Sequence, residues 1–140
     1  LQRGGATVAV GCLRNAEAVA RWLAPMVSPC ARCVAVVAAG ERWSQDDSLR
    51  PALEDHLGGG AILSSLVALG LGEAMSPEAR SAADLFDAGQ ASIEERLLSC
   101  VGGRELVSLG FGSDLGVAGD LNSSDVVPVL NDDGAFAPAT

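Results

Sequence analysis

An α/β fold with a mostly parallel sheet is the architecture this sequence predicts, and three observations predict it. Residues 6–11 (A-T-V-A-V-G) and 33–39 (C-V-A-V-V-A-A) are unbroken apolar runs of strand length. The stretch between them, residues 16–26, carries Val19, Leu23 and Met26 at helical spacing. Strand, helix and strand in that order make a βαβ unit, with a right-handed crossover and strands covered on both faces.

Each element has its own signals. Asn15 is the expected N-cap of the first helix, and Pro25 and Pro29 end it. Ser48 opens a helical pattern that runs towards Leu69, with Pro51 tolerated in the first turn. Gly58-Gly59-Gly60 interrupts that pattern, so either the helix breaks there or something packs closely against its backbone. Ser76-Pro77-Glu78 is a helix start, and the helix runs to Ala88 with Gly89 as its stop. Ser92-Ile93-Glu94-Glu95 reads as a capping box for a helix ending near Cys100. Gly102-Gly103 separates it from R-E-L-V-S-L-G, and Asp114 caps a short helix to Asp120. Residues 126–130 read as a strand whose Pro128 favours an edge. Asn131 to Gly134 is a turn, and A-F-A-P a last extended piece. There is no internal repeat and no second domain boundary, so residues 1–140 form one α/β domain. Three strands are few against the five or six of an average sheet. The sheet is therefore expected to be incomplete at the N-terminus.

Composition removes several functions. Hydrophobic residues make up 49% and charged ones 19%, which argues for a packed core rather than disorder. There is no lysine, so neither a P-loop nor a pyridoxal Schiff base can be built. His56 is the single histidine, which excludes a multi-histidine metal site within the chain. The net charge of −9 gathers in the second half: residues 61–140 hold three arginines against twelve acids, residues 1–60 six against six. No basic patch is visible, so no nucleic acid is expected as a partner. No apolar run reads as a membrane span and the first residues do not read as a signal peptide, so a cytoplasmic protein without a membrane partner is expected. Cys12, Cys30, Cys33 and Cys100 are read as reduced thiols, with a redox or zinc module on Cys30 and Cys33 as an alternative.

The densest chemistry lies in G-E-R-W-S-Q-D-D-S-L-R-P-A-L-E-D-H-L, residues 40–57. Ligands of open parallel sheets gather beyond the carboxyl ends of strands, where Glu41 falls. Helical spacing would set Asp47, Arg50 or Pro51, and Glu54 along one face, with Asp55 about 100° round. Glu41, Asp47 and one of Glu54 or Asp55 could then offer oxygens to Mg²⁺. The plainer reading is a helix start: Asp46, Asp47 and Ser48 as capping groups, Arg50 and Glu54 as a surface ion pair. His56 reads as a solvent-facing or structural residue. The second candidate is G-C-L-R-N-A, residues 11–16, where a helix N-terminus with Arg14 and Asn15 could receive an anion. A third is Gly102-Gly103-Arg104-Glu105, which could pair with either site.

Several blocks taken together resemble a known family. They are V-G-C-L-R-N-A-E-A-V-A (10–20), A-A-G-E-R-W-S-Q-D-D-S-L-R-P-A-L-E-D-H-L-G-G-G-A-I-L (38–63), S-P-E-A (76–79), G-G-R-E-L-V-S-L-G-F-G-S-D-L (102–115) and D-L-N-S-S-D-V-V-P-V-L (120–130). In this order, with Gly134-Ala135-Phe136 at the end, they resemble the 2-phosphosulfolactate phosphatase family, often called ComB-like. The resemblance implies a three-layer α/β/α fold and a Mg²⁺-dependent phosphoric monoester hydrolase. It implies 2-phosphosulfolactate, an intermediate of coenzyme M biosynthesis, or a related phosphorylated 2-hydroxy acid as substrate. It also implies that the chain is the C-terminal portion of such a protein, with an N-terminal half from the same gene or a separate chain as partner. On this reading Glu41, Asp47, Glu54 and Asp55 are catalytic, with Glu41, Asp47 and Asp55 on the metal. Arg14, Asn15 and Arg42 meet the phosphate and the substrate carboxylate. The alternative is a non-catalytic binding or regulatory module lacking that half of the site; self-association is left open.

Overall fold

Six α-helices and two short antiparallel ribbons build the described residues, 6–27 and 33–139, of a computed structural model of the chain. The helices are α1 (Ala16–Leu23), α2 (Leu53–Leu66), α3 (Pro77–Gly89), α4 (Ile93–Ser99), α5 (Val101–Ser108) and α6 (Asp114–Gly119). The ribbons pair β1 (Glu41–Arg42) with β2 (Leu49–Arg50) and β3 (Pro128–Leu130) with β4 (Phe136–Pro138).

The expected three-layer fold on a parallel sheet is overturned: 57% of the chain is helical and no large parallel sheet forms. The reason is that an apolar run becomes a strand only when a partner supplies its hydrogen bonds. Residues 33–39 form no ladder among the described residues, and Val37 is 78% exposed. Residues 6–11 do find a partner, but an antiparallel one. Ala9 bridges Val129, the Val10 N–H donates to the Pro128 carbonyl at 2.9 Å, and the Leu130 N–H donates to the Val8 carbonyl at 2.9 Å. Pro128, expected at an edge, thus lies between this segment and β4, and serves through its carbonyl.

The core is built around α2, which has α1 on one side and α3 on another. It contributes Leu57, Ile62, Leu63 and Leu66; α1 adds Val19, α3 Phe86, and α4 Ile93 and Leu97. The triple glycine does not break the helix; it lets α3 approach. A Cβ on Gly60 would lie 2.6 Å from the Ala82 carbonyl oxygen and 2.8 Å from the Phe86 Cβ. The helical stretch continues through an irregular turn, with Gly70 at φ +84°, to Ala74. Leu53–Ala74 is 22 residues with a mean hydropathy of 1.4, long and apolar enough to cross a membrane. This corrects the expectation of no such run. The stretch is apolar all round, as befits a helix with α1 and α3 both packed on it.

Asn15 does open α1, yet its side chain makes no cap bond. It turns back instead: its Oδ1 accepts from the Cys12 N–H at 2.8 Å, and its Nδ2 donates to the carbonyls of Val126 at 2.9 Å and Val10 at 3.3 Å. The start of α1 is capped from a distance by Asn122, whose Oδ1 accepts from the Glu17 N–H at 2.9 Å. Further on, Ser76 caps α3 as expected, accepting from the Ala79 N–H at 3.3 Å. The Ser92 capping box does not form; Ser92 Oγ donates to the Gly89 carbonyl and accepts from Arg96 Nε. Gly102 and Gly103 do not separate helices but open α5, because Cys100 caps it.

Two substitutions test the close approach of α3. Gly60→Ala must push backbone away and is expected to cost about 1–3 kcal/mol in urea unfolding. Gly59→Ala, whose Cβ meets only Val36 Cγ1 at 3.3 Å on a segment without a ladder, is expected to gain up to about 1 kcal/mol from helix propensity. Equal effects at both positions would refute the packing role of Gly60. A third, Asn15→Ala, removes a buried side chain that bonds the Cys12 N–H and the Val10 and Val126 carbonyls and should cost about 1–3 kcal/mol.

Candidate functional site

The family-like block from Gly40 onward folds as a hairpin, not as a helix start. Pro51 disfavours helical backbone at the residue before it, so Arg50 stays extended and α2 begins only at Leu53. Glu41 pairs with Arg50 and Arg42 with Leu49. Gly40 sits at φ +76°, where a Cβ would meet the Arg50 carbonyl oxygen at 2.8 Å. Its N–H donates to Asp55 Oδ2 at 2.7 Å, which ties the hairpin to the first turn of α2.

The hairpin tip is closed by its acids. Asp47 takes φ +58°, and Arg42 Nη1 donates to its carbonyl at 2.6 Å and to its Oδ2 at 3.1 Å. Asp46 Oδ1 accepts from the Ser48 hydroxyl at 2.6 Å and the Ser48 N–H at 3.0 Å. These bonds favour the carboxylate and hold its pKa below the ordinary value of 3.8.

Arg50 is the centre of the site. It is only 6% exposed. Its Nη2 donates to Glu105 Oε2 of α5 at 2.5 Å and lies 3.8 Å from Glu41 Oε2. Its guanidinium carbon stands 4.8 Å from the centre of the Trp43 ring, a cation–π contact. Its Nε, also buried, has no hydrogen-bond partner among the described residues. A buried polar atom of this kind is costly unless something meets it.

A cavity of about 220 Å³ adjoins this arginine. Glu41, Arg50, Glu54, Cys100, Val101 and Gly102 are among its lining residues. Cys100 heads α5: its Sγ accepts from the Gly103 N–H at 3.3 Å and lies 3.8 Å from Glu54 Oε2. Glu54 therefore stands in the first turn of α2 and beside the start of α5, where helix dipoles favour an acid.

The sequence-chosen residues fall into separate groups. Glu41 and Glu54 share the small cavity. Asp55 is engaged by Gly40, and Asp47 by Arg42 at the hairpin tip. Arg14 donates to the Val117 carbonyl at 2.8 Å and sits 3.6 Å from Asp120, while both Asn15 donors go to backbone carbonyls. No group of three or more His, Cys, Asp or Glu among the described residues could hold a metal ion. Glu41, Asp47 and Asp55, the three expected metal ligands, are thus not gathered at one point, and Glu41 and Glu54 are the carboxylates brought to one cavity. The Arg50–Glu54 pair expected from spacing is replaced by Arg50–Glu105, the partner that the third sequence candidate left open. Arg50 and Cys100 were missed as site residues. The signal for Arg50 was Pro51, which made a helical Arg50 improbable; Cys100 carried none. Cys30 of the C-x-x-C lies outside the described residues. His56 is exposed, on a larger cavity of about 950 Å³ between residues 33–38 and the α2–α3 pair, lined mostly by apolar side chains such as Val36, Leu63 and Met75.

Two measurements check this arrangement. In a Trp22→Phe background, Arg50→Lys loses the planar stack and should shift Trp43 emission and cost about 1–3 kcal/mol; no change in either would remove Arg50 as the centre. Because the folded pKa of Asp46 is depressed, its contribution is complete above about 3.8 and is lost as pH falls through the lower folded value. An NMR titration should place its midpoint below 3.8, and Ser48→Ala should move it back up.

Comparison with known proteins completes the picture. The family model described as 2-phosphosulpholactate phosphatase matches residues 1–133. A comparison with curated proteins gives no match. The matched span takes in the hairpin, Arg50, the start of α5 and the loop around Asn122. With nearly its whole length matched, the chain belongs to the 2-phosphosulpholactate phosphatase family.

Proposed function

We propose that the chain serves in hydrolysing the phosphate ester of 2-phosphosulfolactate, or of a related phosphorylated 2-hydroxy acid, to the hydroxy acid and phosphate. The match of the family model over residues 1–133 carries this reading. The small cavity supports it, because it combines a buried arginine for an anionic group with carboxylates able to orient water or a hydroxyl. Glu54 and Glu41 are the carboxylates assigned to that role, and Arg50 is the residue assigned to the substrate's charge. A requirement for Mg²⁺ enters the proposal from the family resemblance and from the spacing of the acids, and a cytoplasmic setting from the sequence reading of the first residues.

A second reading is a binding or regulatory module of the same family. The paired state of Asp47, Asp55 and Arg14, and the lack of a three-acid cluster among the described residues, favour it.

One assay separates the two. Phosphate release from phospholactate and 2-phosphosulfolactate is measured for the purified chain, with and without added Mg²⁺. The proposal expects Mg²⁺-dependent release and a loss of about 10²-fold or more in kcat/KM for Glu54→Gln with the fold retained. Release that is absent, or that Glu54→Gln leaves at full rate, rejects the assignment and leaves the binding module.

A further inference from the structure

We infer that residues 33–39 are a docking edge for a β-strand of a partner polypeptide, apolar where it enters the adjacent cavity and basic at its flank. Two independent features carry this. The first is the backbone. Cys33 to Ala39 form no helix, turn or bend, and none of their N–H or carbonyl groups has a hydrogen-bond partner among the described residues. The run, C-V-A-V-V-A-A, is apolar throughout, and Val34 and Val37 are exposed. Proteins blunt a free edge with charge, proline, a bulge or a covering element. This run carries no charge and no proline. An open edge of such composition is a template for another strand, because only a second main chain matches a row of alternating donors and acceptors.

The second feature is the cavity of about 950 Å³ beside the run. Val34, Val36 and Ala38 line it from the run, Leu63 and Leu66 from α2, and Ala82 from α3. A strand laid along the run would turn every second side chain towards this space. The volume lies at the upper end of ligand sites and has room for several branched apolar side chains. A small apolar molecule would fill the space and leave the backbone row unmatched; a strand meets both. Charge then decides which polypeptide. Glu78 is the acid among the lining residues, and no arginine lines the cavity. Hydrogen bonds from its own N–H and from Ser76 hold its carboxyl below the ordinary value, so it is an anion at neutral pH. A second copy of the chain would bring the same acid and a further net charge of −9 to the contact, where like charges repel. A partner strand with arginine or lysine beside its apolar run meets Glu78 instead. The two cavities share no lining residue, so this edge is separate from the proposed phosphatase site.

Fluorescence anisotropy of labelled peptides with the full chain tests the edge. The probe is the peptide R-T-I-T-I-T-I-T-R, with E-T-I-T-I-T-I-T-E as its acidic counterpart. The basic peptide is expected to bind saturably, and the acidic one about tenfold or more weakly at low salt. Glu78→Gln should remove most of that difference. Adjacent strand residues direct their N–H groups to opposite edges, and proline removes one such group. One of Val37→Pro and Ala38→Pro should therefore weaken the basic peptide by about tenfold, with the fold confirmed by circular dichroism. Neither position carries a native backbone hydrogen bond among the described residues, so both variants should fold. No saturable binding, equal binding of the two peptides, or full-strength binding by both proline variants overturns the edge. So does a dimer in sedimentation that either proline variant dissolves, which makes a second copy the occupant. Uptake of the neutral dye Nile red without binding of any peptide overturns it in favour of a small apolar ligand.

Discussion

A guanidinium taken out of water has to be met on every side, and the neighbourhood of Arg50 is organised by that requirement. Glu105 reaches it from α5, Glu41 from the facing strand, and Trp43 lies across its plane. The first of these contacts joins the hairpin to a helix more than fifty residues further along the chain. Both acids are about half exposed, so the pairing is more than a surface ion pair but less than a fully desolvated one. What makes the arrangement distinctive is the atom left over. Nε is buried without a partner, beside a cavity that also exposes the start of α5.

The helical frame holds these pieces in register. α2 carries Glu54 and Asp55 in its first turn and the core residues Leu57, Leu63 and Leu66 behind them. The glycine at position 60 lets α3 come against its backbone, so the helix that presents the acids is also the one on which α3 packs closely. At the other end of the core, Asn15 stitches the 6–11 segment and the strand-like tail to the start of α1.

Much of this was legible, and the misreadings have specific causes. The Ser76-Pro77 start, the Asn131–Gly134 turn and the alternative of close packing at the triple glycine follow from local chemistry, and each stands. The helix placed at Ser48 fails because Pro51 was read as a first-turn residue. Its steric effect on Arg50 outweighs the capping preference of Asp46 and Ser48, which close a hairpin turn instead. Of the four acids read as one ligand set, Glu41 and Glu54 meet at the small cavity while Asp47 and Asp55 are engaged elsewhere, because that set assumed a continuous helix from Ser48.

By itself the sequence determined the family, the presence of five of the six helices, and the block in which the chemistry is concentrated. Those rest on residue identity and on spacing within a few turns, which a linear reading holds in full. Only the tertiary structure decided that residues 6–11 would pair antiparallel with β3, that 33–39 would find no ladder among the described residues, and that Arg50 would be buried against Glu105. Hydrogen-bond partners of strands and counterions of buried charges come from far along the chain. No local pattern specifies them, because their energy exists only once the distant groups have met.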